Sequence, residues 1–134
     1  MTCTWFIVYA FLSTTTIELN VNVNGFSDSS GKAFIAVFDD PKDFPSFGKQ
    51  SQGFKVPIVE GQASYTFQLQ PGQDYAIAVF HDRNNNGKLD RNFFGAPSEA
   101  YGFSNNVRNL FSAPSFEQAK ISVNKKKSIS IKVQ

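Results

Sequence analysis

The sequence predicts an all-β protein: a single antiparallel β-sandwich of about seven strands, with one or two short helical turns. Three observations carry that prediction. From Ile17 the apolar residues alternate strictly, with Ile17, Leu19, Val21 and Val23 on one side and Glu18, Asn20, Asn22 and Asn24 on the other. Further apolar runs of strand length follow, separated by Gly-, Pro-, Asn- and Ser-rich turns. Helical signals are confined to two short stretches.

Each element has its own warrant. Gly25 to Gly31 is a Ser/Gly/Asp turn, and Lys32–Phe38 is a strand apolar on both faces. Asp40-Pro41-Lys42-Asp43-Phe44 has a cap residue followed by proline, which predicts one capped helical turn. Strands are expected at 54–59 and 64–69, the second placing Tyr65, Phe67 and Leu69 on one face. Pro71-Gly72 turns the chain into a strand over 75–80. Residues 93–106 are broken by Gly and Pro and show little periodicity. Ser115-Phe116-Glu117-Gln118 fits a capping box opening a short helix. Two last strands are expected at 120–123 and 128–133, with Ile129, Ile131 and Val133 on one face.

Composition narrows the function. A chain of 134 residues is one domain by length and buries roughly two-thirds of its unfolded surface, so it needs no staple. Cys3 is the single cysteine, which excludes an intrachain disulfide and a thiolate cluster, and His81 is the single histidine, which disfavours zinc. The net charge of +2 and scattered basic residues give no nucleic-acid footprint; Lys125-Lys126-Lys127 reads as a solvated turn. Fifteen phenylalanines promise an aromatic core or platform.

The apolar run Trp5–Leu12 is too short to span a bilayer, which takes ~20 residues, so the protein is not expected to be integral to the membrane. Residues 1–16 are read as a trimmed or atypical export signal, although a basic start is missing, and residues 17–134 as the sandwich. The competing reading makes the run a first strand. On the favoured reading the protein is exported, to the periplasm, the cell surface or the medium.

The stretch with most chemistry follows the 75–80 strand. Asp82, Asn84 and Asn86 occupy positions 1, 3 and 5 of a calcium loop, Gly87 position 6, Lys88 the carbonyl position 7 and Asp90 position 9. Alternating Asp and Asn oxygens suit a hard cation that takes six to eight oxygen ligands. Position 12 is Phe93 where a helix-flanked loop carries a bidentate Glu, and Glu99 is the nearest later acid able to replace it. The metal set is therefore Asp82, Asn84, Asn86, Lys88, Asp90 and Glu99 around a structural Ca2+. With few carboxylates the expected affinity is weak, near ~10⁻⁴–10⁻³ M. A plain Asn-Gly turn is the competing reading.

The run Leu69–Asp90, the segment Phe94–Asn106 with its Glu-x-Tyr-Gly-Phe-Ser-Asn-Asn core, and Pro114–Ala119 together resemble the bacterial domain-of-unknown-function family 2141. The resemblance runs from about Ile17 onward and implies a small exported β-sandwich without implying a reaction. More loosely, Leu69-x-Pro71-Gly72-x-x-Tyr75 is similar to transthyretin-like and carboxypeptidase-regulatory-like sandwiches, close in architecture to immunoglobulin-like ones. Many of those are binding or spacer modules, an analogy at the level of fold.

Three functions compete. In the first, a calcium-stabilised monomeric module presents Tyr101, Phe103, Asn105 and Asn106 to a carbohydrate, a peptide or a cell-surface protein. In the second, a small hydrolase uses His81 with a loop serine, Ser98 or Ser104. The third is purely structural, with Phe93, Phe94, Tyr101, Phe103, Phe111 and Phe116 packed beneath the loop. His81 lies in register with Tyr75, Ile77 and Val79, so it points to the apolar face, where a histidine usually bonds a nearby loop.

Overall fold

The computed structural model describes residues 15–86, 99–109 and 112–134. The segment 1–14, Lys88, Asp90, Phe93, Phe94, Ser98 and Phe111 lie outside the described residues.

Strand β1 (Ile17–Asn24) follows its alternation: Leu19, Val21 and Val23 are buried while Glu18, Asn22 and Asn24 face solvent. It pairs antiparallel with β4 (Ala63–Leu69), from Ile17 opposite Leu69 to Val23 opposite Ala63. Its other edge pairs with β8 (Lys127–Lys132), and that pairing is parallel, from Leu19 opposite Lys127 to Asn24 opposite Lys132. Together these three strands form a sheet ordered β4-β1-β8. The parallel pair departs from the wholly antiparallel expectation. Parallel neighbours need a long crossover, and here the other strands supply it.

The second sheet contains β2 (Lys32–Phe38), β3 (Gln52–Pro57), β5 (Gln73–Asp82), β6 (Tyr101–Phe103) and β7 (Ile121–Val123). Its order is β3-β2-β5-β6, with β7 also paired to β5. Strand β6 lies against Ala78–Phe80 and β7 against Gln73–Tyr75, so the two short strands share one edge of β5 end to end. The chain is thus an all-β sandwich with eight strands among the described residues.

The inward faces of both sheets form the main core, which includes Leu19, Val21, Phe67, Ile35, Val37, Ile77, Val79 and Ile131. A second apolar cluster covers the outer face of the five-stranded sheet, where Ala36, Phe38, Ala76, Ala78 and Phe103 meet Phe44 and Phe116. Those two rings come from outside the sheet. Phe44 sits in the turn at 41–45, and Phe116 opens the helix α1 (Phe116–Ala119). Strands β2 and β5 are therefore covered on both sides, which is why their sequences are apolar without alternation.

Two expected local structures differ in kind. Asp40 caps as anticipated, its carboxylate accepting the Lys42 N–H, but the chain forms only a turn, closed by Asp43 N–H on the Asp40 carbonyl. The Ser115 capping box forms in full: Ser115 Oγ accepts the Gln118 N–H and the Gln118 side chain accepts the Ser115 N–H. The Pro71-Gly72 turn is locked by Tyr75, whose hydroxyl donates to the Gln70 carbonyl and accepts from the Gln70 N–H at 2.9 and 3.1 Å. That closed pair is why a tyrosine stands at this offset from the proline.

Candidate functional site

The last residues of β5 carry two polar side chains in opposite directions. Asp82 pairs with Lys32 across the sheet, and its side chain is fully buried. Its Oδ1 accepts the Asn86 N–H at 3.1 Å, and its carbonyl accepts the Asn85 N–H, folding residues 82–86 back on the strand end. The Asn84 side chain accepts the Asn86 N–H, and Asn85 adopts a left-handed φ of 54°, which asparagine tolerates. Glu99, remote in sequence, reaches this same turn. It is 6% exposed, and its Oε2 accepts the Arg83 N–H at 2.8 Å.

The β1–β2 turn clamps the loop from the other side. The Arg83 guanidinium donates to Asp28 at 2.8 Å and to the Ser27 hydroxyl at 2.7 Å. Hydrogen bonds from the Ser30 hydroxyl and backbone hold the Asp28 carboxyl below its ordinary range, and Arg83 adds to the effect. Gly31 crosses directly over the strand end at φ 60°, where an added Cβ would stand 2.0 Å from the Asp82 carbonyl oxygen. Only glycine fits there.

His81 is fully buried and faces the inner core beside Phe26, whose ring meets it edge-on at 5.2 Å. Its Nε2 lies 2.6 Å from the Ser30 carbonyl, which can only accept, so Nε2 carries the proton. The histidine thus bonds a neighbouring loop, as its register predicted. Its Nδ1 is buried and has no hydrogen-bond partner among the described residues. Ser104, one of the two serines considered as its nucleophile, is held at Ile77, roughly 13 Å further back along β5. Ser98 lies outside the described residues.

The Ser104-Asn105-Asn106 segment forms a 3-10 turn in which Asn105 (φ 63°) and Asn106 (φ 51°) are left-handed. Each side chain fastens a different neighbour. Ser104 is buried; its hydroxyl accepts the Ile77 N–H at 2.9 Å and donates to the Ala119 carbonyl, filling the gap between β6 and β7. Asn105 donates to the Gln118 and Lys120 carbonyls at the end of α1. Asn106 accepts the Lys132 N–H of β8 at 2.9 Å. The Phe103 ring is buried in the outer cluster and Tyr101 is half-buried, so the expected aromatic platform is mostly packing.

Beside this turn a groove of about 220 Å³ opens between β6 and β8. Gly102, Phe103, Asn106, Val107 and Gln134 line it together with Arg108 and Lys132. Gly102 lets the β8 backbone come close, since a Cβ there would meet the Lys132 carbonyl at 2.7 Å. Arg108 lies 4.4 Å from the centroid of the Tyr101 ring, and one guanidinium nitrogen donates to the main-chain oxygens of Tyr101 and Gln134. Tyr101 and Gln134 in turn exchange backbone hydrogen bonds of 3.1 Å, joining the two sheets on this flank.

The loop therefore combines two buried carboxylates, loop amide oxygens and backbone carbonyls. Among the described residues, no group of three or more His, Cys, Asp or Glu side chains stands where it could hold a metal. Two further expected ligands, Lys88 and Asp90, lie outside those residues. No helix among the described residues is long and apolar enough to cross a membrane.

A small two-sheet module with a polar loop at the end of its central strand and a grooved flank is the class of protein these features define. The chain belongs to a bacterial family, described as uncharacterized protein conserved in bacteria and designated domain of unknown function 2141, whose model matches residues 21–132. The matched span takes in β5, its loop and the Ser104–Asn106 turn. No curated protein and no solved structure matches the chain.

Proposed function

We propose that the protein is an exported binding module whose β5 loop is stabilised by a calcium ion. The observation that carries this reading is the convergence of Asp82 and Glu99. Both are buried, and both bond the backbone of one tight turn although sixteen positions separate Glu99 from Arg83. Buried carboxylates are costly unless hydrogen-bonded, paired or ligated, and a hard cation suits two carboxylates amid amide and carbonyl oxygens. An ion there would tie β6 to the end of β5 and so stiffen one wall of the groove, leaving the groove to bind. Residues 1–14 include the apolar run that supports export.

Thermal unfolding in EDTA, then in millimolar calcium or magnesium, tests the ion. A ligand at ~100 times its dissociation constant adds ~2.7 kcal/mol. The expected result is a calcium-specific rise in Tm of several degrees that Asp82→Asn abolishes and Glu99→Gln diminishes. An unchanged Tm at ~10 mM calcium, above the range of weak sites, removes the ion from the account.

A further inference from the structure

We propose that Asp28 is a positioning residue for the cation loop: it holds the guanidinium of Arg83 outside the loop and so keeps the carboxylates of Asp82 and Glu99 open to an ion. This inference rests on the calcium reading and names what regulates that site.

Arg83 stands where an ion loop least tolerates a cation. It lies between Asp82 and Asn84, the first and third positions of the loop, and Glu99 Oε2 accepts its N–H at 2.8 Å. Asp82 and Glu99 are both buried, and a buried carboxylate draws a guanidinium that can pair with it. Folded inward, Arg83 would neutralise those carboxylates with the chain's own charge, and a metal ion would meet it as a like-charged competitor.

The β1–β2 turn takes the guanidinium the other way. One terminal nitrogen of Arg83 donates to Asp28 Oδ2 at 2.8 Å and to Ser27 Oγ at 2.7 Å. Asp28 is fixed independently of the arginine, because its Oδ1 accepts the Ser30 N–H at 2.9 Å and the Ser30 hydroxyl. The two oxygens of one carboxylate thus divide the work, one shaping the turn and one holding Arg83. The turn itself is seated by the two preceding residues of β5. His81 Nε2 donates to the Ser30 carbonyl at 2.6 Å, and Gly31 packs against the Asp82 carbonyl. Residues 81, 82 and 83 therefore meet the same turn in succession: the first two contacts seat it, and the third uses it to hold a charge.

The Arg83 and Asp28 side chains are about half exposed, at 49% and 46%, and exposed pairs contribute little to overall stability. The weight of this pair falls instead on the choice between two positions of Arg83. An ion meets a competent loop only in the fraction of molecules whose Arg83 is outside, and its apparent dissociation constant rises as that fraction falls. A pair of this exposure shifts such a balance by roughly twofold to fivefold.

The test is a double-mutant cycle on calcium affinity. Calcium chloride is titrated at constant ionic strength into the wild type, Asp28→Asn, Arg83→Gln and the double variant, with the backbone amide NMR shifts of residues 83–86 as the readout. The expected result is an apparent dissociation constant raised roughly twofold to fivefold in Asp28→Asn, unchanged or lowered in Arg83→Gln, and restored in the double variant. Direct attraction between Asp28 and the ion would act whether or not Arg83 is present. An equal loss from Asp28→Asn in both backgrounds therefore overturns the proposal, as does an unchanged constant in Asp28→Asn. A weaker Arg83→Gln overturns it too, since the pair would then be a structural brace. Those outcomes leave the ion in place. The absence of any response in the wild type and Arg83→Gln at ~10 mM calcium removes the ion reading itself, and the positioning role falls with it. If Asp28→Asn does not fold, Ser27→Ala, which removes the second acceptor of the same nitrogen, takes its place in the cycle with the same signs expected.

Discussion

Replacing Ser104 by alanine tests how the edge of β5 is completed. The hydroxyl occupies the break where β6 ends and β7 has not begun, accepting the Ile77 N–H and donating to the Ala119 carbonyl at a position closed to solvent. Alanine fills nearly the same volume, so packing changes little and the effect is that of two orphaned groups. A buried donor or acceptor left without a partner costs ~1–3 kcal/mol, which puts Ser104→Ala, with two such groups, at about 2–6 kcal/mol. Single domains have ~5–15 kcal/mol in total, so the loss is a substantial fraction. Urea unfolding followed by far-ultraviolet circular dichroism measures it, with an unchanged m-value as the control for two-state behaviour. Hydrogen exchange localises it, because the Ile77 amide should lose protection while the Val79 amide keeps most of its own. A change below ~0.5 kcal/mol together with an undiminished Ile77 protection factor would refute the bridging role. The same variant addresses the hydrolase reading, since a hydroxyl already holding two backbone groups is poorly placed to attack a substrate.

Two other substitutions follow from the geometry. Tyr75→Phe removes both bonds to Gln70 and should lower stability by ~1–2 kcal/mol in urea unfolding. Burial raises the Tyr75 phenol above its ordinary 10.0, so its stabilising share is present below pH 10 and is lost as pH rises toward the folded value. Stability measured from pH 8 to 11 should therefore fall less steeply in Tyr75→Phe, and an identical slope would contradict this. Gly31→Ala forces a left-handed backbone on a residue with a Cβ and drives that carbon against the Asp82 and Arg83 carbonyls, at a cost of ~3 kcal/mol or more. A loss under ~1 kcal/mol in chemical denaturation would mean the turn has an alternative path.

The β1 alternation, the two-sided apolar runs of β2 and β5, and the Ser115 capping box were readable because each is a local pattern. The position of His81 was readable for the same reason: period two along β5 sent it inward, where a loop carbonyl met it. Strand β6 was not readable. It is three residues long, Tyr101 to Phe103, and Gly102 serves close approach to β8 rather than strand propensity. The parallel pairing of β1 with β8 left no mark either, since the alternation in each is equally suited to an antiparallel neighbour. Asn105 and Asn106 looked like ligand-binding amides, yet their backbone angles and side-chain partners give them a turn to make and neighbours to hold. Glu99 is the instructive case. The sequence could nominate it only as the next acid after an incomplete loop, and the fold brings it to the Arg83 N–H.

The pairing of β1 with β8 has a kinetic consequence. The ladder joins residues more than a hundred positions apart, so one side of β1 stays an open edge until 127–132 have been synthesised. Non-local closure of this kind is slow, and folding rates fall as the mean separation of contacting residues grows. An exposed edge in a slowly folding chain is where intermolecular pairing begins, and the outward row of Glu18, half-buried Asn20, Asn22 and Asn24 makes that edge a poor template for it. On the exported reading, such a delay would keep the chain threadable during its passage across a membrane, with β8 arriving last to complete the sheet.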